Sequence, residues 1–171
     1  EAAYRELVLD EAASVIRRRG DLVITITSHG FICANAAVDR SNVAAGRAVL
    51  LPVDPDRSAH RLRTLLERES GCALGVVITD TFGRPWRRGL VDVAIGVSGV
   101  RAIDDYIGTL DTHGNRLEVT EVAVVDEIAA AADLVMGKAT GVPVAVVRGL
   151  DVAGDGRATD LVRPPNEDLF R

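Results

Sequence analysis

The stretch Ala73-Leu74-Gly75-Val76-Val77-Ile78-Thr79, closed by Asp80, decides how the rest of the chain is read. It carries no charge before the aspartate and is rich in β-branched side chains, so it reads as an interior strand buried on both faces. On its N-terminal side, Asp54-Pro55 opens a helix, because aspartate can cap and proline suits the first helical position. Ala59, Leu62, Leu65 and Leu66 form the expected buried face of that helix, and Gly71 ends it. On its C-terminal side, Thr81 to Gly89 holds Gly83, Pro85, Gly89 and the only tryptophan, and reads as a loop. Val91 to Val97 then alternates as a further strand.

Farther out, Tyr4, Leu7, Val8, Ala12, Val15 and Ile16 recur at helical spacing, with Gly20 as the stop. Leu22 to Thr27 reads as a strand, Ser28-His29-Gly30 as a turn, and Phe31 to Ala34 as a second short strand. Asn35 to Arg47 is small and polar, a loop before a short strand at Ala48 to Leu51. Downstream, Asp111 to Asn115 is a turn, and Leu117 to Val119 resumes the sheet. Thr120 is placed to cap a helix with the stripe Val124, Ile128, Ala131 and Val135, ended by Gly137. Pro143 to Val147 reads as a last strand, and Asp151 to Arg171 as a polar tail or linker. Hairpins are mixed with helix-separated strands, which predicts an α+β fold: a mixed β-sheet with flanking helices. The length of 171 residues suits one domain, here residues 1–150, followed by the tail 151–171.

A hydrophobic fraction of 47% supports a sizeable core, and no apolar run reaches the roughly 18 residues of a membrane span. The N-terminal Glu1 to Asp10 is charged, unlike a signal peptide, and the missing initiator methionine suggests a fragment. The net charge of −5 argues against nucleic acid as the main partner. Arg84, Arg87 and Arg88 form a local basic cluster that suits a small anionic ligand. Cys33 and Cys72 show no metal or disulfide spacing and read as buried thiols of a protein in the reducing cytoplasm.

Among residues that can carry chemistry, Asp80 comes first, an acid at the end of an apolar strand. It either binds a hard cation through its carboxylate or stabilises its own turn. Asp39, in Val38-Asp39-Arg40-Ser41-Asn42, is either a second such acid or a solvated loop residue; Asn42 is a contact or an Asx turn. The guanidinium forks of Arg84, Arg87 and Arg88 either match phosphate or carboxylate or belong to a solvated surface loop, and Trp86 either stacks on a flat ring or caps the core edge. In Met136-Gly137-Lys138-Ala139-Thr140-Gly141-Val142-Pro143 the glycines allow backbone amides to approach phosphates and Lys138 adds charge; a plain glycine C-cap and turn explains the same residues. The spacing is not that of a P-loop. His29, His60 and His113 form no triad or metal motif, and Asp126-Glu127 reads as a helix surface pair, with an active-site role for Glu127 as the alternative.

The segment Ile78-Thr79-Asp80-Thr81-Phe82-Gly83-Arg84-Pro85-Trp86-Arg87 resembles the signature of the coenzyme F-420-0: L-glutamate ligase family, the CofE family and the ligase half of FbiB. His29 to Asn42, with HGFICANAAVDRSN, is a second match, and Asp92-Val93-Ala94-Ile95-Gly96 a third. Asp126 to Lys138 together with Pro143 to Gly149 is a fourth, and all stand in family order.

The resemblance implies an α+β, CofE-like fold and an intertwined homodimer with its site near the subunit interface. It implies a GTP-dependent ligase that adds L-glutamate to the deazaflavin coenzyme F-420 precursor, first by an amide and then by gamma-linkages. Asp39 and Asp80 match the family's divalent-metal ligands (manganese or magnesium), Thr81 a further metal contact, and a monovalent cation is a further expected ion. Asn42 matches a nucleotide contact, and Met136 to Pro143 a nucleotide-binding stretch. Arg84 and Arg87 are candidates for clamping the substrate's phosphodiester or carboxylates, and Trp86 for lining the deazaflavin. The family domain begins some tens of residues earlier, so an N-terminal segment that also touches the nucleotide is expected to be missing here. In two-domain relatives a nitroreductase-like flavin domain follows. The alternative reading is a non-catalytic dimerisation or coenzyme-binding remnant of such a ligase.

Overall fold

The computed structural model describes residues 1–169; Phe170 and Arg171, the end of the expected tail, lie outside the described residues. The chain divides into two compact units. One comprises Glu1–Asp54 with Thr81–Val91, the other Pro55–Asp80 with Asp92–Arg171. The architecture is α+β, as the element order predicts. Among the described residues the strands are distributed among small sheets, one of three strands and two of two, where a single mixed sheet was expected.

The first unit opens with α1 (Ala2–Glu11), which ends well before Gly20. Ala12 turns to extended backbone (φ −85°, ψ 119°), and Ala12–Arg19 forms strand β1. The helical spacing of Val15 and Ile16 therefore misleads. Both are β-branched, and pairing with β2 (Leu22–Thr27) in an antiparallel register that ends at Arg19↔Leu22 outweighs a continued helix. Gly20 supplies the positive φ (60°) that this tight hairpin needs. Strand β3 (Ile32–Ala34) adds to β2 as expected, through a turn in which the Gly30 N–H donates to Thr27 O. The small core packs Val8 against Ala36 and Val38, ringed by Tyr4, Leu7, Ala12 and Ala48. The expected strand at Ala48 to Leu51 shrinks to a single bridge, Asp39↔Val49.

In the second unit, α2 (Pro55–Ser70) starts at the predicted proline, and Gly71 closes it by donating to Glu67 O. Ala59 is fully buried, but Leu62, Leu65 and Leu66 are each nearly half exposed, so the expected buried face is covered only at its N-terminal end. Strand β4 runs over Val76–Arg84, starting three residues later than predicted and continuing through Asp80. It pairs with β5 (Arg87–Ser98), so residues 81–89 form the end of a hairpin and not a loop. Paired on one side only among the described residues, β4 is half-buried up to Phe82. Cys72, expected to be buried, is exposed, while Cys33 is buried; both are free thiols.

The inner half of β5 is the most buried segment of the second unit. A methyl group on Gly96 would lie 2.5 Å from Pro55 O, so a bare backbone is required where β5 meets the start of α2. Asp56 Oδ1 reinforces that junction by accepting the Val97 N–H at 2.8 Å and the Ala158 N–H at 3.1 Å. The expected tail is thus fastened to the second unit as far as a 3-10 turn at Ala158–Leu161, with Ala158 1% exposed.

Strands β6 (Asp104–Asp105) and β7 (Glu121–Val122) form the third sheet. Leu117 to Val119 is not in a strand, and Ala123, not Thr120, is the cap of α3 (Val124–Met136). The buried face of α3 is Val124, Val125 and Ala129; Ala131 and Val135 point outward, so the stripe is rotated from the predicted one. Gly137 ends α3 by donating to Asp133 O. Pro143 to Val147 is not a strand, and Val144 and Val146 are more than 70% exposed.

Candidate functional site

Asp39 follows an unusual backbone. Asn35, Ala36 and Ala37 have φ values of 51°, 52° and 57°, three consecutive L-residues in the left-handed region. Each such residue costs about 1–2 kcal/mol without a glycine, so the turn must be held from outside. The Asn35 side chain accepts the Val23 N–H at 3.0 Å, and the fully buried Thr25 hydroxyl accepts the Ala36 N–H at 2.9 Å. Val38 then anchors in the core, and a pair of backbone bonds to Val49 aligns Asp39 itself. Its exposed carboxylate is oriented locally: Oδ1 accepts the Ser41 N–H at 2.8 Å and Oδ2 accepts the Ser41 hydroxyl. Asn42, also exposed, takes a left-handed φ of 53°.

Asp80 and Thr81 sit in the middle of β4, both half-buried, at the point where the chain passes from the second unit into the first. A strand interior fixes backbone direction more firmly than the loop expected there. Beyond them, Phe82 meets Phe31 edge to face at 6.3 Å, and Phe31 stacks on His29 at 5.6 Å. The hairpin tip is Pro85-Trp86, with Trp86 at φ 56° and 80% exposed, which excludes the core-edge role. Arg84 donates to Arg88 O at 2.8 Å across that tip. Arg87 and Arg88 are exposed.

The second unit gathers a different set. Lys138, one residue past the α3 cap, reaches back to Asp92 Oδ1 at 3.0 Å and to Asp133 Oδ1 at 3.4 Å. Asp92 is 5% exposed, and its other oxygen accepts the hydroxyl of Thr79, the neighbour of Asp80, at 3.0 Å. Partial burial pushes the Lys138 ammonium down, but the hydrogen bond and charge of Asp92, with Asp133 behind them, outweigh it and hold the group above the usual lysine range. In the rest of the segment, the Thr140 hydroxyl bonds to Met136 O and accepts the Val142 N–H, while Gly137 and Gly141 take positive φ. Ala139, Thr140, Gly141, Val142 and Pro143 are exposed, an open loop tip of the kind that backbone-amide contacts need.

Asp126 is not the surface residue that its sequence position suggests. Its Oδ1 accepts the Ala94 N–H at 2.8 Å, and burial raises its pKa against the opposing effect of that bond. Glu127 is exposed, as expected. Asp92 is the functional candidate that spacing alone did not single out. The available signal was an acid inside the apolar alternation Val91 to Val97.

Asp39, Asp80 and Thr81 offer only carboxylate and hydroxyl oxygens, the hard donor set that magnesium and manganese take. Among the described residues no group of three or more His, Cys, Asp or Glu side chains is placed to hold a metal ion. Asp39 and Thr81 belong to the first unit and Asp80 to the second, and each brings an oxygen donor of the kind that such a cation takes. Among the described residues no helix is long and apolar enough to cross a membrane.

Residues 1–149 match the family model described as F420-0:Gamma-glutamyl ligase. The coenzyme F420:L-glutamate ligase of Methanocaldococcus jannaschii is 46% identical over 168 residues, 97% of this chain and 67% of that protein. The protein of the same description from Methanothermobacter thermautotrophicus is 47% identical over 170 residues, 97% of this chain and 68% of its own length. That from Archaeoglobus fulgidus is 46% identical over 171 residues, 99% of this chain and 68% of its own length.

Proposed function

The chain belongs to the F420-0:gamma-glutamyl ligase family, and from that premise we propose that it joins L-glutamate to the deazaflavin coenzyme F-420 precursor at the expense of GTP. The observation that carries this reading is the extent of the likeness. Identity is 46% over 97% of the chain, and the family model spans residues 1–149, the range that holds every candidate residue named above.

A carboxylate is a poor acyl donor, because oxide would have to leave. In the proposed course a carboxylate oxygen of the acceptor attacks the γ-phosphorus of GTP, the bond to GDP breaks, and an acyl phosphate forms. The glutamate amine then attacks the acyl carbon; the C–N bond forms, phosphate leaves with its electron pair, and the amine proton passes to solvent. Positioning and charge neutralisation are the main tasks left to the protein.

Asp39, Asp80 and Thr81 are the proposed ligands of a magnesium or manganese ion. Held by these residues, such an ion would supply positive charge against the phosphates. Asn42 and the segment Met136, Gly137, Lys138, Ala139, Thr140, Gly141, Val142 and Pro143 are the proposed nucleotide contacts. The exposed loop tip and its two positive-φ glycines support that role. Arg84 and Arg87 are proposed to hold the precursor's phosphodiester or carboxylates. The exposed Trp86 ring is proposed to stack on the deazaflavin, supported by the guanidinium groups on either side of it in sequence. A homodimer is proposed as well, supported by the half-exposed leucines of α2. A monovalent cation and a fused flavin domain remain proposals of the resemblance alone.

The test is turnover of precursor, GTP and L-glutamate with manganese by the full-length protein, read as GDP release and glutamylated product. Asp80→Asn is expected to abolish product formation at wild-type fold. Product formation at the wild-type rate by Asp80→Asn would remove the metal role, and no product from the wild type would remove the ligase reading.

A further inference from the structure

We propose that Asp92 is a positioning residue of the ligase site, its buried carboxylate fixing the Lys138 ammonium for contact with the phosphates of the bound nucleotide. This rests on the nucleotide role proposed above for the Met136–Pro143 segment. Asp92 shares a face of β5 with Ala94, Gly96 and Ser98, all buried. A carboxylate in such a place is costly, and an apolar side chain of similar size would generally give a more stable strand pair. Its presence there needs a reason other than stability, and two of its partners supply one. Oδ2 takes the hydroxyl of Thr79, the residue before Asp80, and Oδ1 takes Lys138, 46 residues on in sequence. One carboxylate thus ties the strand that carries a proposed metal ligand to the segment that carries the proposed nucleotide contacts.

The chemistry at Lys138 points the same way. A free lysine has a long stem and many rotamers, and freezing them on ligand binding weakens affinity. Here Asp92 and Asp133 have already fixed the ammonium, while the side chain stays 57% exposed to an incoming ligand. Two carboxylates more than neutralise one ammonium, so Lys138 acts as a placed hydrogen-bond donor and not as a bare attracting charge. Loss of the anchor therefore removes binding that is shared by the ground and transition states. That predicts a raised nucleotide KM with kcat largely kept.

The experiment is steady-state kinetics on the full-length protein with GTP and L-glutamate varied separately, beside melting temperatures, for Asp92→Asn, Lys138→Gln, Lys138→Arg and the double variant Asp92→Asn/Lys138→Gln. Asp92→Asn and Lys138→Gln are each expected to raise the GTP KM about tenfold, from the loss of one charge-assisted hydrogen bond, with the glutamate KM unchanged. The double variant is expected to be no worse than either single one, because both remove the same contact. Lys138→Arg, which keeps a cation for Asp92, is expected to lie nearer the wild type. A purely structural pair would lower the melting temperature and leave the GTP KM alone, and that result overturns the proposal. If Asp92→Asn fails to fold, the exposed Lys138→Gln decides: a wild-type GTP KM there overturns it. An inactive wild type overturns the ligase reading and this inference together, whereas an active wild type with an indifferent Asp92→Asn overturns this inference alone.

Discussion

The hydroxyl of Thr25 accepts the backbone N–H of Ala36 at 2.9 Å, and the same oxygen donates to Cys33 O at 3.2 Å, with no part of Thr25 exposed. This pairing holds the left-handed Asn35–Ala37 turn against its own backbone strain. Thr25→Val keeps the shape and removes both bonds, leaving a buried donor without its partner. It is expected to cost about 1–3 kcal/mol in urea unfolding. A cost below measurement error would show that the turn needs no such support.

The strain itself can be tested from the other side. Ala37 is half-buried at φ 57°, a value that glycine adopts freely. Ala37→Gly removes the left-handed penalty but adds freedom to the unfolded chain, so the net expected gain is at most about 1 kcal/mol. Loss of stability in Ala37→Gly would mean that the positive φ is not strained in this setting.

Asp126 gives a pH signature. Burial raises its folded pKa above the unfolded value, so ionisation disfavours the folded state. Below the ordinary aspartate range both states are protonated and no penalty exists. As pH rises through that range towards the raised folded value, the unfolded state ionises first and stability falls, then levels off. Asp126→Asn keeps an acceptor for the Ala94 N–H and cannot ionise. Its melting temperature relative to wild type is expected to rise between pH 3 and pH 7; a difference that does not change with pH sinks the argument.

What the sequence disclosed follows the reach of each interaction. The Asp54-Pro55 start of α2, its Gly71 end and the Gly137 end of α3 were legible because caps act within one turn. Val15 and Ile16 were misread because cross-strand pairing, not local periodicity, settles their state. Residues 81–89 were misread as a loop because their glycines and proline mark a hairpin tip equally well. The α2 leucines show the same limit, since periodicity locates an apolar stripe without saying what covers it. Asp92 became meaningful only when folding brought Lys138 to it. The proposed metal and nucleotide roles rest on the likeness of whole segments; spacing alone leaves Asp39 and Asp80 open between a cation and an ordinary turn.

Those leucines make the dimer reading testable. Leu62, Leu65 and Leu66 are 47%, 49% and 49% exposed along α2, a run that a solvent-facing helix rarely keeps. A second copy of the protein is the proposed cover. Leu65→Lys is then expected to shift the full-length protein from dimer to monomer in light scattering at micromolar concentration while helix content is retained. A wild type that is monomeric over that range, or a Leu65→Lys that stays dimeric, would leave the stripe without this explanation.

A close backbone contact in the second unit gives a sharp expectation. Gly96 passes the first residue of α2 so closely that an added methyl group would lie 2.5 Å from Pro55 O, 2.6 Å from Pro55 C and 2.9 Å from Pro55 Cβ. Two of these are rigid backbone atoms, so the clash cannot be relieved by a rotamer change. Either β5 or the start of α2 must move, and Asp56, which bonds Val97 and Ala158 through one oxygen, moves with it. Gly96→Ala is therefore expected to cost at least about 1–3 kcal/mol in urea unfolding. It should also loosen the segment around Ala158, seen as faster amide exchange at Ala158 than in the wild type. Gly20→Ala, at a positive φ but with open space around it, is the control. It is expected to lose stability through backbone strain alone, with amide exchange at Ala158 unchanged, and equal exchange rates at Ala158 in both variants would refute the coupling through Asp56.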